Sequence, residues 1–355
     1  MPAKEKSAMF LKNAWYVAAW SDEITAELQQ VIVLGENICM FRNSNARVVA
    51  LEDACPHRKL PLSKGRRKGD DVECGYHGLT FNYTGQCVRA PGKGGIPSNA
   101  KVHAYPVEER YGLVWIWMGN PALADASEIF DIPEYDDPKW GKNRGKALEI
   151  DCNYLYVTDN LLDPTHVAWV HQSSFGQAAT QDTPLRITKS EDGITVWRWM
   201  LDVEPAPFYK KIIEFDGNCD RLQHYEVRYP CHAFIRAVFT PAGKGGQLDT
   251  LDEKTFIMNS YNFMTPETES RTRYYWFQTR NIRPDDAELS KMMSEDVKHA
   301  FEEDRLVLNE VQKGMTGKKT PHIDLSIDGG QLRFRRQLEI LIAQEQTADE
   351  ALAKG

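Results

Sequence analysis

The chain has 355 residues, a length that favours two domains over one and provides enough residues for a hydrophobic core. Its formal net charge of −8 at pH 7 argues against nucleic-acid binding and suits a protein that meets small substrates or protein partners. The sequence has neither a run of about 18 apolar residues nor a signal peptide, so we expect a cytoplasmic protein without a membrane segment.

The first third of the chain has the pattern of a small β domain. Short apolar runs at residues 31–34, 38–41 and 48–51 are separated by turn-forming segments, as in β-hairpins. Residues 111–117, YGLVWIW, predict a closing strand. We therefore predict an all-β domain over residues 1–120.

The rest of the chain combines strand and helix patterns. Residues 121–145 contain several prolines and aspartates and predict a connecting segment. Within residues 146–355, strand-like patterns at 184–280 give way to helical patterns at 287–312 and after Gln331. We predict an α+β protein, in which this second domain has an antiparallel sheet and C-terminal helices.

Four potential metal ligands form two closely spaced pairs in the β domain. Cys55 and His57 form a Cys-x-His pair, and after sixteen residues Cys74 and His77 form a Cys-x-x-His pair. Two thiolates and two imidazoles can bind zinc, or a [2Fe–2S] cluster with both cysteines on one iron and both histidines on the other. Zinc sites often use like ligands close together, whereas each loop here supplies one cysteine and one histidine. The pattern therefore favours the iron–sulfur cluster.

Two further histidines lie in an otherwise apolar segment of the second domain. His166 and His171 are five positions apart, which would separate their side chains by about 140° on a regular helix. The pair can share one metal only if the helix is kinked or ends between them. By itself this is a weak signal, because such histidines are more often ordinary core or surface residues.

A predicted helix near the C-terminus carries the candidate carboxylate ligand. At about 100° per residue, Asp304 lies at the centre of an apolar face that includes Ala300 and Leu308. A buried carboxylate needs a metal or another partner. Asp304 is therefore the third candidate ligand, with Glu303 as the alternative. Pairing of Asp304 with Arg305 would produce the same pattern without a metal.

These motifs resemble those of the Rieske non-haem iron oxygenases. Residues 55–63, CPHRKLPLS, and 74–78, CGYHG, resemble the Rieske motif, although Lys59 stands where relatives often carry a small residue. Residues 159–171 resemble the mononuclear iron motif, in which two histidines and one carboxylate form a facial triad. The resemblance implies O₂ as co-substrate and two iron centres. These are a Rieske [2Fe–2S] cluster on Cys55, His57, Cys74 and His77, and a mononuclear Fe(II) on His166, His171 and Asp304.

The resemblance also implies roles for two residues beside the mononuclear iron motif. Asp163 is expected to contact His166 of its own subunit and His77 of a neighbouring subunit, and so to carry electrons between the centres. In relatives of this length with one subunit type, that arrangement implies a homotrimer. Asn160 resembles a family residue that is close to the iron but too distant to ligate it. The simpler alternative for Asp163 is an N-cap before Pro164.

The electrons must come from another protein, because no flavin or nucleotide motif is evident. Residues 92–95, GKGG, lack the spacing of a phosphate-binding loop. The resemblance implies NADH as the electron source, through a separate reductase or a ferredoxin plus reductase. We hypothesise that four basic residues between the cluster-ligand pairs form a docking rim for an acidic partner, with a solvated loop as the alternative. They are Lys64, Arg66, Arg67 and Lys68.

The resemblance is closest to the vanillate O-demethylase and dicamba demethylase oxygenases, which implies O-demethylation of a methoxylated aromatic acid. Strand alternation places His232, Phe234 and Arg236 on one face of the 231–239 segment, where the arginine could bind a carboxylate. Asn262 lies just before a Thr-Pro turn, where demethylase relatives place a polar substrate contact. We predict His232, Arg236 and Asn262 as substrate contacts, with a surface strand of ordinary charges as the alternative.

Three other interpretations stay open. The same irons could support aromatic ring or methyl hydroxylation, or N-demethylation, instead of O-demethylation. The chain could be a Rieske electron-transfer protein without oxygenase activity, which would leave His166, His171 and Asp304 unexplained. The third interpretation is a binding module whose fold is stabilised by a zinc ion.

Overall fold

The protein is described by a computed structural model that covers residues 9–177, 179–248, 251–315 and 319–354. The described residues form two compact units, one of residues 9–131, 265–269 and 345–354 and one of residues 132–264 and 270–344. The domain boundaries expected near residues 120 and 145 remain predictions. No helix within the described ranges is both long and apolar enough to cross a membrane.

The first unit is built from short strands, because its apolar runs are repeatedly interrupted by turn residues. The strands are β1 (Trp15–Trp20), β2 (Gln29–Val33), β3 (Glu36–Arg42), β4 (Val48–Glu52), β5 (Arg66–Lys68), β6 (Asp71–Glu73), β7 (Thr80–Phe81), β8 (Cys87–Arg89), β9 (Val107–Arg110) and β10 (Leu113–Trp117). They pair in three antiparallel sheets with the orders β1-β10-β9, β2-β3-β4 and β5-β6-β7-β8. The predicted all-β character of this region is confirmed.

The β2–β3 hairpin shows how turn chemistry determines where a strand begins. The apolar runs leave three residues between the strands, but β3 already begins at Glu36, so only Leu34 and Gly35 form the turn. Their φ angles are 52° and 79°, and positive φ at both positions is typical of a two-residue type I′ turn. The strands are confirmed, and the sequence pattern placed the start of β3 two residues late.

One large sheet belongs to the second unit, apart from residues 265–268 at the end of one strand. Its strands are β11 (Gly141–Arg144), β12 (Leu148–Ile150), β13 (Arg186–Lys189), β14 (Gly193–Val203), β15 (Cys219–Arg228), β16 (His232–Pro241), β17 (Phe256–Thr268) and β18 (Arg271–Arg280). The order across the sheet is β11-β18-β17-β16-β15-β14-β13, and β12 also pairs with β18. The predicted antiparallel sheet is confirmed.

Within the residues that the structure describes, six α-helices precede, interrupt or follow these strands in the sequence. They are α1 (Tyr154–Leu161), α2 (Val167–Val170), α3 (Ala179–Asp182), α4 (Pro207–Lys210), α5 (Ala287–Gly314) and α6 (Gly329–Lys354). The side chain of Asp286 caps α5 by accepting a hydrogen bond from the backbone N–H of Leu289 at 2.8 Å. The predicted C-terminal helices correspond to α5 and α6, so the α+β class is confirmed.

The central strands present two different faces, because side chains alternate along a strand. In the cross-strand register, Ile235 of β16 lies between Tyr225 of β15 and Ser260 of β17, so these three side chains share one face. The next residue of β16, Arg236, lies on the opposite face. The face of the sheet on which a residue lies therefore decides whether its side chain can reach the cavity described below.

Candidate metal centres

The two cluster-ligand loops of the first unit have the same backbone hydrogen-bond pattern. In the first loop, the N–H of Cys55 donates to the carbonyl of Leu60 at 2.9 Å, and the carbonyl of Cys55 accepts from the N–H of Lys59 at 2.8 Å. In the second loop, Cys74 makes the same two bonds with the residues five and four positions later, at 2.7 and 3.0 Å. The sequence motifs therefore fold into two equivalent turns.

Each of these turns needs a left-handed residue four positions after its cysteine. Gly78 has φ 75° in the second turn, and Lys59 has φ 59° in the first. Only glycine adopts this region without a steric cost, so the lysine conformation is unusual. The positive φ angle at position 59 gives a physical reason why a small residue, above all glycine, would suit this position better than lysine.

The side chains of the two turns supply two buried thiols and two exposed imidazoles. Cys55 and Cys74 are 2% and 1% exposed. Burial raises the pKa of the Cys55 thiol, and the neighbouring Cys74 thiol adds to that shift. The ring centroids of His57 and His77 lie 4.6 Å apart. Buried sulfur ligands beneath a pair of exposed imidazoles fit the donor set of a Rieske [2Fe–2S] cluster.

The two histidines of the second candidate site flank a very short helix. Helix α2 contains only residues 167–170, with His166 immediately before it and His171 immediately after it. His171 has φ −107° and ψ 40°, so the helical path ends at that residue. The two histidines can share one metal only if the helix is kinked or ends between them. Helix α2 meets this condition.

Asp304 of α5 joins these histidines in one group. Its Oδ1 atom lies 3.2 Å from Nε2 of His171 and 3.5 Å from Nε2 of His166. One potential ligand atom from each of the three residues lies within 4.8 Å of the other two. Asp304 belongs to the buried side of α5 together with Ala300 and Leu308, as the helical pattern predicted.

Both imidazoles are oriented through their other nitrogen. Nδ1 of His166 is hydrogen-bonded to the backbone carbonyl of Asp163, and Nδ1 of His171 lies 2.8 Å from Oε2 of Glu303. These acceptors favour a proton on Nδ1 and leave each Nε2 lone pair available to a metal, which is typical of metal-binding histidines. The site fits an iron held by two histidines and one carboxylate.

The charges at this site stabilise one another. Burial opposes ionisation of Asp304, but a hydrogen bond to His171, the nearby His166 and a hydrogen bond from Asn160 hold the pKa of its carboxyl below the usual range. For His171, burial acts to lower the pKa, but Asp304 and Glu303 outweigh burial and raise it. The pocket thus favours an ionised carboxylate at the position of the candidate ligand.

Asn160 and Asp163 contact the candidate ligands in different ways. Asn160 donates from Nδ2 to Oδ1 of Asp304 at 3.0 Å, which supports the carboxylate. The Asp163 side chain accepts from the backbone N–H of Thr165 at 2.8 Å, so it caps the turn before α2. Both residues line a groove that reaches His166. Asp163 thus contacts His166 through its backbone, and the residue also lines the groove.

A cavity next to the three candidate ligands is lined mainly by apolar and aromatic side chains. Its lining residues are Leu161, His166, Val167, His171, Phe175, Tyr209, Arg221, Tyr225, Ile235, Met258, Ser260, Gln278, Val297, Ala300, Phe301 and Asp304. Its volume is about 70 Å³, less than the roughly 150 Å³ of a cavity that holds benzene. An aromatic ligand can therefore enter only if lining side chains move.

Two of the predicted substrate contacts lie away from this cavity. His232 and Arg236 belong to the face of β16 opposite Ile235, which lines the cavity. The structure therefore places His232 and Arg236 away from this cavity, and their role as substrate contacts stays a prediction that the cavity does not support. Alternation shows which residues share a face but not which face covers the iron ligands. Asn262 is on the cavity side and fully buried, but its Oδ1 accepts from the hydroxyl of Tyr274 at 2.9 Å.

The proposed docking rim contains one residue with a structural role. Arg67 donates to the backbone carbonyls of Ala26 and Arg42 at 2.8 and 3.0 Å, and its guanidinium lies 4.4 Å from the ring centroid of Phe41. These contacts hold the side chain against the first unit, so Arg67 does not fit a docking role. The other three rim residues, Lys64, Arg66 and Lys68, are exposed.

Sequence reasoning missed Arg221, a buried cation in the wall of the cavity. It lies on β15 and shares the cavity face with Tyr225, four positions later. The alternation of β15 was visible in the sequence, but nothing local marks that face as the one opposite the iron ligands. Glu303 was considered as a ligand, and its contact with Nδ1 of His171 instead gives it an orienting position.

Comparison with known proteins gives consistent results over nearly the whole chain. Residues 14–106 match the Rieske [2Fe–2S] domain family, and residues 150–344 match the vanillate O-demethylase oxygenase C-terminal domain family. The chain is 37% identical to the toluene-4-sulfonate monooxygenase system iron-sulfur subunit of Comamonas testosteroni, over 95% of this chain and 98% of that protein. It is 35% identical to a vanillate O-demethylase oxygenase subunit of a Pseudomonas species, over 97% and 98% of the two chains.

A solved structure agrees with these sequence matches. Dicamba monooxygenase bound to 3,6-dichlorosalicylic acid superimposes with a TM-score of 0.87 at 28% identity, and the match covers 95% of this chain and 99% of that one. These matches exclude the zinc module and the electron-transfer protein without oxygenase activity. Together with the two candidate iron centres, they show that the chain belongs to the Rieske non-haem iron oxygenases and is the oxygenase component of a monooxygenase.

Proposed function

We propose that this oxygenase O-demethylates a methoxylated aromatic acid of the vanillate type. The observation that carries the proposal is the cavity beside His166, His171 and Asp304, which has an aromatic and aliphatic wall suited to a ring. Relatives named for vanillate and dicamba O-demethylation, at 35% and 30% identity, support the same substrate class.

The residues that would hold the cofactors follow from the two sites. Cys55, Cys74, His57 and His77 would hold the cluster, and His166, His171 and Asp304 would hold the mononuclear iron. When bound, the cluster supplies single electrons and the mononuclear iron supplies O₂ activation.

The protein's own groups prepare this chemistry. Glu303 and the carbonyl of Asp163 fix the orientation of the two imidazoles, and Asn160 holds the Asp304 carboxylate. The apolar cavity walls exclude water from the reacting methyl group.

The overall reaction balances with one O₂ and one NADH. An aryl methyl ether, O₂, NADH and a proton give the phenol, formaldehyde, water and NAD⁺. A separate NADH-dependent reductase, directly or through a ferredoxin, would deliver the electrons. We further propose that the Asp163 carboxylate bridges to His77 of a neighbouring subunit in a homotrimer, because Asp163 lines a groove beside His166.

Hydroxylation is the second candidate reaction, and one relative favours it. Toluene-4-sulfonate, named for the relative at 37% identity, has a ring methyl group and no methoxy group, so its oxidation must be at carbon. In this case the methyl group or the ring would gain a hydroxyl group, with no release of formaldehyde.

The two reactions can be separated by product analysis. The purified oxygenase, with a competent reductase and NADH, would be supplied with vanillate or toluene-4-sulfonate. Formaldehyde formed in equal amount to the phenol, and absent with an Asp304→Ala variant, would support O-demethylation. A hydroxylated product without formaldehyde from either substrate would support the second candidate. Consumption of O₂ that no aromatic acid stimulates would contradict both.

A further inference from the structure

Arg221 is a buried cation in the wall of the cavity that contains the candidate iron ligands. It is 1% exposed and lies on the cavity-facing side of β15. No carboxylate of the described residues forms an ion pair with it. Charged side chains are almost never fully buried without a partner, so this position needs an explanation.

The hydrogen bonds of Arg221 leave part of its donor capacity unused. Nη1 donates to the side-chain oxygen of Gln177 and, at 3.5 Å, to the backbone carbonyl of Phe175. Nε is buried and has no hydrogen-bond partner within the described part of the chain. Both acceptors are neutral, as is the Tyr209 side chain that also hydrogen-bonds to Arg221, although a guanidinium binds an anionic oxygen more strongly.

Arg221 differs from the other two buried arginines of this sheet, Arg198 and Arg280, because it alone among them lines the cavity. Arg280 also leaves Nε and Nη1 without partners among the described residues, so its place in the cavity wall is what sets Arg221 apart. Arg198 of β14 donates from Nε to Gln223 at 2.8 Å, and from Nη1 and Nη2 to the carbonyls of Thr183 and Pro164 at 3.0 and 3.2 Å. All three nitrogens of Arg198 therefore have partners, and it does not line the cavity. Arg221 differs in both respects.

Aromatic rings hold the Arg221 guanidinium in place. Its Cζ atom lies 5.0 Å from the ring centroid of Tyr209 and 5.3 Å from that of Phe239. Contacts of this kind orient the guanidinium plane, and a fixed plane favours two parallel hydrogen bonds to one anion.

We propose that Arg221 binds the anionic group of the aromatic substrate, a carboxylate or a sulfonate, and selects such acids against neutral aromatic compounds. The substrate oxygen would take the place of the Gln177 amide oxygen at Nη1 and would provide an acceptor for Nε. This inference rests on the proposed function, because it assumes that an aromatic compound occupies the cavity. It assigns to Arg221 the specificity role that the sequence suggested for Arg236.

Binding of a matched pair of ligands tests the assignment. Isothermal titration of the holoenzyme with toluene-4-sulfonate and with the neutral toluene-4-sulfonamide gives a preference ratio for the anion. A charge-assisted hydrogen bond corresponds to about a 10- to 100-fold preference in the wild type. Arg221→Met is expected to abolish the preference, and Arg221→Lys to keep part of it because the charge remains.

Arg236→Met is the matched control. This substitution removes a guanidinium from the neighbouring strand β16, on the face opposite the cavity. It should keep the wild-type preference for toluene-4-sulfonate over toluene-4-sulfonamide. If Arg221 only supports the fold, its replacement will weaken binding of both ligands equally and leave the ratio unchanged, which overturns the proposal. A wild type without preference for the anion overturns it as well, even if Arg221→Met does not fold.

Product formation separates this proposal from the proposed function. If vanillate or toluene-4-sulfonate is oxidised but Arg221→Met keeps the anion preference, only the role of Arg221 fails. If the preference depends on Arg221 but neither acid is oxidised, only the proposed reaction fails.

Discussion

The carboxylate of Glu303 accepts a hydrogen bond from Nδ1 of His171 at 2.8 Å, which turns Nε2 of the same ring toward Asp304. Two consecutive acidic residues of α5 thus contact opposite sides of one imidazole. Asp304 is placed to share a metal with His171, whereas Glu303 fixes the orientation and tautomer of the ring. The order of these two residues on the helix therefore determines which is the candidate ligand.

We predict that Glu303→Leu weakens iron binding by about 10- to 100-fold, because the ring of His171 loses its orienting acceptor. Glu303→Gln should have a smaller effect, since its amide oxygen can still accept the hydrogen bond. Iron retained after dialysis against a chelator series measures the affinity. Glu302→Leu, at the neighbouring position that pairs with Arg305, is the control. Equal iron retention in Glu303→Leu and this control would contradict the orienting role.

Asp163→Asn is expected to slow electron transfer without loss of iron. Nδ1 of His166 bonds to the backbone carbonyl of residue 163, which the substitution keeps. Asparagine also keeps the side-chain oxygen that accepts from Thr165. The loss of charge therefore acts on the proposed bridge and, within this subunit, on the electrostatic interaction of Asp163 with Arg198. The rate of cluster reoxidation by O₂ in the presence of substrate, followed by absorbance, measures the effect.

A wild-type rate of cluster reoxidation in Asp163→Asn would rule out a need for the charged bridge. Loss of iron would show instead that the Asp163 side chain supports the metal site. Iron content should therefore be measured on the same samples.

Lys59→Gly should stabilise the first unit. Lysine at φ 59° carries a steric cost of about 1–2 kcal/mol, which exceeds the roughly 0.5–1 kcal/mol entropic cost of glycine. We expect the apparent melting temperature to rise by about 1–3 °C, with an unchanged cluster spectrum. Arg58→Gly, at a neighbouring exposed position without positive φ, should lower it. A decrease for Lys59→Gly would show that the lysine conformation carries no strain.

Charge reversal should distinguish Arg67 from the exposed residues of the rim. Arg67→Glu removes hydrogen bonds to two backbone carbonyls and the contact with Phe41, and should lower the free energy of unfolding by about 2–4 kcal/mol. Lys68→Glu should leave stability within about 0.5 kcal/mol of the wild type. Denaturant unfolding compares the two.

Lys68→Glu also tests the docking hypothesis itself. If the exposed rim attracts an acidic electron-transfer partner, this variant should reduce the salt dependence of cluster reduction by that partner. An unchanged salt dependence would contradict the docking hypothesis and support the alternative that these residues form a solvated loop.

The extent of sequence-based prediction differed between the two sites for physical reasons. The ligand pairs of the first unit are local, so their spacing could mark Cys55 and His77 as candidate ligands. Asp304 was identified because helical periodicity is also local, and its burial on α5 agrees with that pattern. Arg221 and Arg236 could not be told apart, because the choice between the two faces of a sheet depends on helices that are distant in sequence.

The most direct test of the account is the iron and acid-labile sulfide content of anaerobically purified protein, measured for wild type beside Asp304→Ala. A Rieske cluster and one mononuclear iron predict about three irons and two sulfides per wild-type chain. Asp304→Ala should keep about two irons, both sulfides and the cluster spectrum. Retention of about three irons by Asp304→Ala, after reconstitution and chelator treatment identical to the wild type, would contradict the assignment of Asp304 to the mononuclear site.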